Sequence, residues 1–382
     1  MEDWIQCQLG DILNFRRGHD LPHSEMKGGD IPVAGSNGVI GYHNEATPIS
    51  PCITIGRSGN IGTPYLYAKA WAHNTTLYVD DFKGNNPLYI YYLLRTLPLS
   101  SFSGGSAVPT LNRNHIHPLV VMHCTNLQGQ KSIASLLKSF DDKIELNNRI
   151  NHNLDLQIQA IYKSWFVDFE PFKDEEFINS ELGLIPKGWD VKSLGDIATI
   201  LKNTINPKKS EEAIFHHYSI PAFDNSESPE EQYGSEILSN KFIITDNTIL
   251  FSKLNPRIKR VWNVFSAKEN AVCSTEFVAY KAKEKKNYAF LYSVIAGDNF
   301  YNEIMSKVNG ATGSHQRFHP EETLSIKIPY NAYAMMRFEN AVLPIIRLMD
   351  INKQETASLK AERDSVLPRL LSGELEINKI DC

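Results

Sequence analysis

Long apolar runs, paired cysteines and a surplus of positive charge are all missing from this 382-residue chain. No apolar stretch approaches the roughly 20 residues needed to cross a bilayer. The opening Met1-Glu2-Asp3-Trp4 lacks the basic start and apolar core of a secretory signal. The five cysteines (Cys7, Cys52, Cys124, Cys273, Cys382) are odd in number and far apart, with no C-x-x-C pair. That pattern favours free thiols in a reducing cytoplasm over disulfides or a zinc site. With 39 Lys and Arg against 44 Asp and Glu, the net charge is −5. A protein that coats nucleic acid with its whole surface is excluded, so a polyanion site here must be local or shared with a partner.

Catalytic signatures are missing as well. An adenine methyltransferase needs a cofactor loop and an N/D-P-P-Y/F tetrapeptide, and Asn86-Pro87-Leu88 and Asn255-Pro256-Arg257 both lack the second proline. Gly35, Gly38 and Gly41, like Gly56, Gly59 and Gly62, recur every third residue. That spacing fits neither the dinucleotide fingerprint nor the P-loop and reads as tight turns in a β-rich domain. Asp168, Glu170 and Lys173 resemble a nuclease set but sit at the wrong spacing in a connector. His115-x-His117 would place two rings on one face of a strand, yet no carboxylate or cysteine stands at a fitting distance, so no metal site is assigned.

What the chain does have is an internal repeat. Trp4 precedes Leu9-Gly10-Asp11-Ile12, and Trp189 precedes Leu194-Gly195-Asp196-Ile197, at the same spacing. Later elements recur in the same order. Segment 53–62 answers to 248–258, and 72–79 to 271–278. A helix candidate at 87–94 answers to 287–295. A loop of small residues at 103–113 answers to 309–317, and a short apolar strand at 119–121 to 326–328. Two copies of one β-rich fold are implied, one in each half.

Each copy leads into a long helix. From Gln130 to about Phe166 there is no proline or glycine. Ile133, Leu137, Phe140, Ile144, Leu154, Ile158, Ile161 and Trp165 step by fours and threes, with polar Asn147 and Asn151 between them, which is a heptad seam. Between Glu339 and Leu371 a similar seam runs through Val342, Ile346, Met349, Thr356, Leu359, Val366 and Leu370, with polar Asn352 and Arg363. Pro344 suits a first turn, and Pro368 is expected to end or kink the helix. A narrow seam cannot be buried alone, so the two helices are expected to pair. Leu137, Phe140, Ile144, Asn147, Asn151, Leu154 and Ile158 would face Met349, Asn352, Leu359 and Val366, the buried asparagines fixing register. The expected division is a first domain at 1–127 and a central helix at 128–168. A linker and second domain follow at 169–330, then the C-terminal helix and tail at 331–382.

W-x4-LGDI at both repeat starts, 56–62, Gln130 to Ile144, Ile161 to Phe169, Leu182 to Trp189 and the closing Leu367-Pro-Arg-Leu-Leu-Ser-Gly-Glu-Leu375 together resemble the specificity subunits of type I restriction–modification enzymes. The likeness covers the whole chain. It implies an α+β fold of two β-rich target recognition domains in tandem, each followed by a long helix. The helices would pair as an antiparallel coiled coil with pseudo-two-fold symmetry. It also implies a DNA-reading chain that is not itself an enzyme. Each domain would read half of an asymmetric bipartite duplex target, half-sites lying about 34–36 Å apart if both meet one face of the DNA. Two modification subunits and restriction subunits would be the partners, carrying S-adenosylmethionine, ATP and Mg²⁺. The other readings are a related bipartite-site restriction system, or a protein–protein scaffold without DNA binding.

Loop tips rich in Arg, Lys, Asn, Gln, Ser and Thr suit contacts to phosphates and base edges. In the first repeat these are Arg57, Ser58 and Asn60, then Ser106, Thr110, Asn112 and Arg113. In the second they are Lys253, Asn255, Arg257, Lys259 and Arg260, then Ser314, His315, Gln316 and Arg317. They are the candidate DNA-binding residues; which of them touch bases is not fixed by the sequence.

Overall fold

A computed structural model describes residues 3–102, 110–308 and 316–376. The chain divides into two compact units, one of residues 1–144 with 358–382, the other of 145–357.

In the first unit, the strand Trp4–Gln8 pairs antiparallel with Val120–Cys124. Leu9-Gly10-Asp11-Ile12 is a single helical turn. It is pinned by the Leu9 N–H donating to the Leu119 carbonyl (2.7 Å) and the Gln8 N–H donating to Asp11 Oδ2 (3.0 Å). Leu9 and Ile12 thereby point into the core. The chain continues into a four-stranded antiparallel sheet ordered Asn14–Arg17, Thr76–Asp81, Cys52–Gly56, Pro64–Tyr67. A smaller sheet joins Gly38–His43, Ile31–Gly35 and Trp71–Ala72, the last pair parallel. Helix Pro87–Thr96 has proline in its first turn, and the Asn86 side chain accepts from the Tyr89 N–H (3.0 Å). Its Tyr89 and Leu93 pack with Phe15, Ile53, Ile55 and Val79.

The second unit repeats this plan. Asp190–Ser193 pairs with Lys327–Tyr330. The turn Leu194–Ile197 is pinned by the Leu194 N–H on the Ile326 carbonyl (2.8 Å) and the Ser193 N–H on Asp196 Oδ2 (2.8 Å). The sheet Ala198–Ile200, Phe277–Ala282, Thr248–Ser252, Val261–Val264 keeps the same strand order and polarity. The smaller sheet grows to five strands, but Ile214–Tyr218 still lies parallel to Ala271–Cys273, as Ile31–Gly35 does to Trp71–Ala72. The recurring strand order shows that the matched sequence segments are copies of one fold in tandem.

The two long helices, Leu127–Phe166 and Ala332–Leu371, have 40 residues each and are about 60 Å long. Each unit holds part of both. In the second unit, Asn147 Nδ2 donates to Glu355 Oε2 (2.7 Å), Asn151 Nδ2 to the Met349 carbonyl (3.0 Å), and Asn352 Nδ2 to Asn151 Oδ1 (2.9 Å). Partners descend on one helix as they ascend on the other, so the segments run antiparallel. Ile158, Val342, Ile346 and Met349 are buried in that unit's core, with Leu154 against it. In the first unit, Leu137 packs in one core with Leu367 and Leu370, with Val366 at its edge, and Asp141 Oδ1 accepts from Arg363 Nη1 (2.6 Å). Ile144 is buried, while Phe140 and Leu359 are half-buried.

The C-terminal helix departs from the expectation at its prolines. It starts at Ala332 and runs through Pro344 and Pro368. Both rings lie on the exposed face, so the carbonyl four residues earlier is open to water, while Ala334, Met335, Phe338, Val342 and Ile346 bury the other face. The repeated tryptophans each sit against the end of a long helix. Trp189 meets Phe166, Phe169 and Phe172 edge-on at 4.9–5.7 Å. Trp4 covers Gly373, just past the C-terminal helix, whose φ of +77° suits glycine and where an added Cβ would lie 2.8 Å from the indole.

Candidate nucleic-acid interface

In each unit the candidate loops start where the second-placed central strand of the larger sheet stops. Strand Cys52–Gly56 runs into Arg57, and strand Thr248–Ser252 runs into Lys253. The Arg57 N–H donates to the Thr75 carbonyl (2.8 Å), and the Lys253 N–H donates to the Glu276 carbonyl (2.9 Å). Two residues on, Gly59 (φ +83°) and Asn255 (φ +48°) both turn through the left-handed region, which suits these two residue types. Arg57 and Lys253 are therefore equivalent positions, fixed at the backbone and half-exposed at the side chain. Among the described residues neither cation has a carboxylate partner.

The two candidate loops of each domain come together. Ser58 forms a bridge with Thr110, and the Leu111 N–H donates to the Arg57 carbonyl (2.8 Å). In the second domain the Asn255 N–H donates to the Gln316 carbonyl (3.1 Å). Asn60 is exposed, and Asn112 caps the turn Arg113–Ile116 by accepting from the Asn114 N–H (3.0 Å). Ser106, Ser314 and His315 lie outside the described residues.

Other candidates are engaged within the protein. Arg260 is buried, and its Nε and Nη2 clamp both oxygens of Asp224 (2.6 and 2.8 Å). Arg113 Nη1 donates to the Phe15 carbonyl (3.1 Å). Lys259 pairs with Asp298 (3.2 Å), and Arg317 pairs bidentately with Glu276. Arg257 is exposed, with its carbonyl accepting from Tyr301 Oη (3.1 Å) and no carboxylate partner among the described residues. Gln316 is buried.

Residue 115 lies in a helical turn and not in the expected strand. His117 Nε2 accepts from the Phe15 N–H (3.1 Å), and burial, then Arg113 and Lys83, lowers its pKa. Among the described residues no group of three or more His, Cys, Asp or Glu side chains could hold a metal. Sequence reasoning missed the anchors of the site, Thr75 and Glu276, and also Ser36, whose Oγ donates to the Thr75 carbonyl (2.7 Å). The match of segments 72–79 and 271–278 sets Thr75 against Ser274, whereas the strand pairing sets it against Glu276, two residues on, because the contacts with Arg57 and Lys253 are long-range.

The family model for the type I restriction modification DNA specificity domain matches twice, over residues 1–156 and 186–332. The chain belongs to that family. As a type I specificity subunit it is 30% identical over 311 residues to the type I restriction enzyme MjaIX specificity subunit of Methanocaldococcus jannaschii, covering 76% of this chain and 70% of that one. The MjaVIII specificity subunit of the same organism is 22% identical across 100% of this chain and 95% of its own. In fold, this specificity subunit is similar to the crystal structure of a type I restriction–modification S subunit from M. genitalium. The TM-score is 0.61 at 16% identity, over 96% of each chain. Among the described residues, no helix is long and apolar enough to cross a membrane.

Proposed function

We propose that this specificity subunit is a non-catalytic DNA reader whose two domains each recognise one part of an asymmetric bipartite duplex. The observation that carries this is the equivalence of Arg57 and Lys253. Two copies of one fold each hold a cation without a carboxylate partner among the described residues at the same strand end, with its backbone fixed and its side chain half-exposed. Arg57, Lys253 and Arg257, with Ser58, Asn60 and Asn255 beside them, are the best-placed groups for DNA. Arg260 and Arg113 serve the fold.

Negative net charge is consistent with this role, because local cations beside fixed backbone are enough for two short contacts, and partner subunits add the rest. In this reading the long helices set the spacing between half-sites. Two modification subunits supply S-adenosylmethionine and adenine methylation, and restriction subunits supply ATP- and Mg²⁺-dependent cleavage, in the cytoplasm. The different loops of the two domains make the two half-sites different in sequence.

The test is to purify the chain with its modification subunit and map methylated adenines on genomic DNA. One bipartite motif that depends on this chain is expected. Methylation by the modification subunit alone, or no chain-dependent motif, would overturn the proposal. Methyl transfer or cleavage by this chain alone would overturn its non-catalytic part.

A further inference from the structure

Among the described residues, Arg317 combines a side-on carboxylate partner with an exposed guanidinium end, which no other candidate cation does. Arg317 Nε donates to Glu276 Oε2 (3.1 Å) and Nη2 donates to Oε1 (3.1 Å). The carboxylate thus occupies the side of the guanidinium fork. The end of the fork, formed by Nη1 and the second hydrogen of Nη2, has no partner among the described residues, and the arginine side chain is 46% exposed. Arg260 makes the same side-on contact with Asp224, but its side chain is only 8% exposed, so its end is closed off.

A guanidinium held this way is a planar pair of donors at fixed orientation, which matches the two acceptors O6 and N7 that guanine shows in the major groove. Glu276 also fixes the site's backbone, since its carbonyl takes the Lys253 N–H. The carboxylate that aims Arg317 and the anchor of Lys253 are therefore one residue.

Among the described residues the first domain has no such pair. Thr75 occupies the place of Glu276, accepting the Arg57 N–H. Thr110 occupies the place of Arg317. Each precedes a buried apolar residue, Leu111 or Phe318, which is followed by the residue that opens the next helical turn, Asn112 or His319.

We propose that Arg317, aimed by Glu276, reads one guanine in the half-site of the second domain, and that Glu276 is its positioning residue. This rests on the proposed DNA-reading function. No equivalent guanine contact comes from Thr75 and Thr110.

The experiment uses the chain assembled with its modification subunits and duplexes carrying every base at each position of the mapped target, with binding measured by competition. Exchange of residues 185–330 first identifies which half-site belongs to the second domain. Wild type is expected to prefer guanine at one position of that half by about tenfold or more. Replacing that guanine by 7-deazaguanine, which lacks the N7 acceptor, should weaken binding by a similar factor. R317A should lose both effects while the rest of the target is still selected. E276Q should keep Arg317 but reduce the preference, with a smaller loss for non-target DNA.

A half-site set by the second domain in which R317A weakens all sequences equally shows a phosphate contact and overturns the inference alone. So does full sensitivity to 7-deazaguanine in R317A. A target that does not respond to the domain exchange overturns the underlying function. The modified base keeps the test independent of how well the variants fold.

Discussion

At the scale of single residues, what separates a DNA-facing cation from a structural one is whether its donors reach solvent. Arg260 and Lys259 stand next to Arg257 in one basic run, yet Arg260 turns inward to Asp224, 36 residues away in sequence. Truncating it leaves Asp224 unpaired, so R260A should destabilise the second domain by about 2 kcal/mol, discounted because Asp224 is half-exposed. Thermal melting measures this, and its target preference should be that of wild type. R57A and K253A should leave melting unchanged, lower affinity for target DNA, and each reduce the slope of log affinity against log salt by about one. An unchanged slope in both would remove them from the interface.

Glu339 offers a second residue-level test. It is buried and accepts from the N–H groups of Ala289 and Phe290 at the start of helix Tyr288–Ala296. Burial pushes its carboxyl up to about 7, the N–H donors only partly opposing the shift. A carboxyl raised in the fold stabilises fully below its ordinary range near 4.5 and loses that contribution as pH rises through about 7. Denaturant unfolding should therefore show a loss on the order of 3 kcal/mol from this group between about pH 4.5 and pH 8. E339Q, which cannot ionise, should lack that part of the slope.

At the scale of elements, the sequence was most legible where periodicity is local. The two seams, the repeat of Leu-Gly-Asp-Ile and the helix candidate at 87–94 follow from spacing, while that Leu-Gly-Asp-Ile forms a turn was not legible. That the C-terminal helix runs unbroken through Pro344 was not legible, because a proline suits a first turn until its exposed face is known. Strand order was not legible either, since pairings such as Ile214–Tyr218 with Ala271–Cys273 join segments far apart in sequence. The same holds for the site. Loop composition pointed to Arg57 and Lys253, but their equivalence rests on carbonyls of residues 75 and 276 that no local pattern marks. The seam asparagines carry a prediction of their own. N151L removes the acceptor of the Asn352 amide and the side-chain donor to the Met349 carbonyl, so it should cost about 1–3 kcal/mol in denaturant unfolding. Replacing Asn151 and Asn352 together by leucine should recover most of that loss.

At the scale of the whole molecule, duplication accounts for the split target. One fold copied in tandem supplies two readers, and divergence of the structurally equivalent positions, Arg57 to Lys253, Thr75 to Glu276 and Thr110 to Arg317, makes the two readings different. If the helices set the gap, adding four residues to each should lengthen the spacer by about two base pairs, at 1.5 Å per helical residue and 3.4 Å per base pair. The central claim is that each domain reads its own half independently. Its most direct test is to replace residues 185–330 with those of a relative of different specificity and to map methylated adenines with the modification subunit present. The account predicts a new sequence in one half of the motif, with the other half and the gap unchanged. Change in both halves, or in neither, would contradict it.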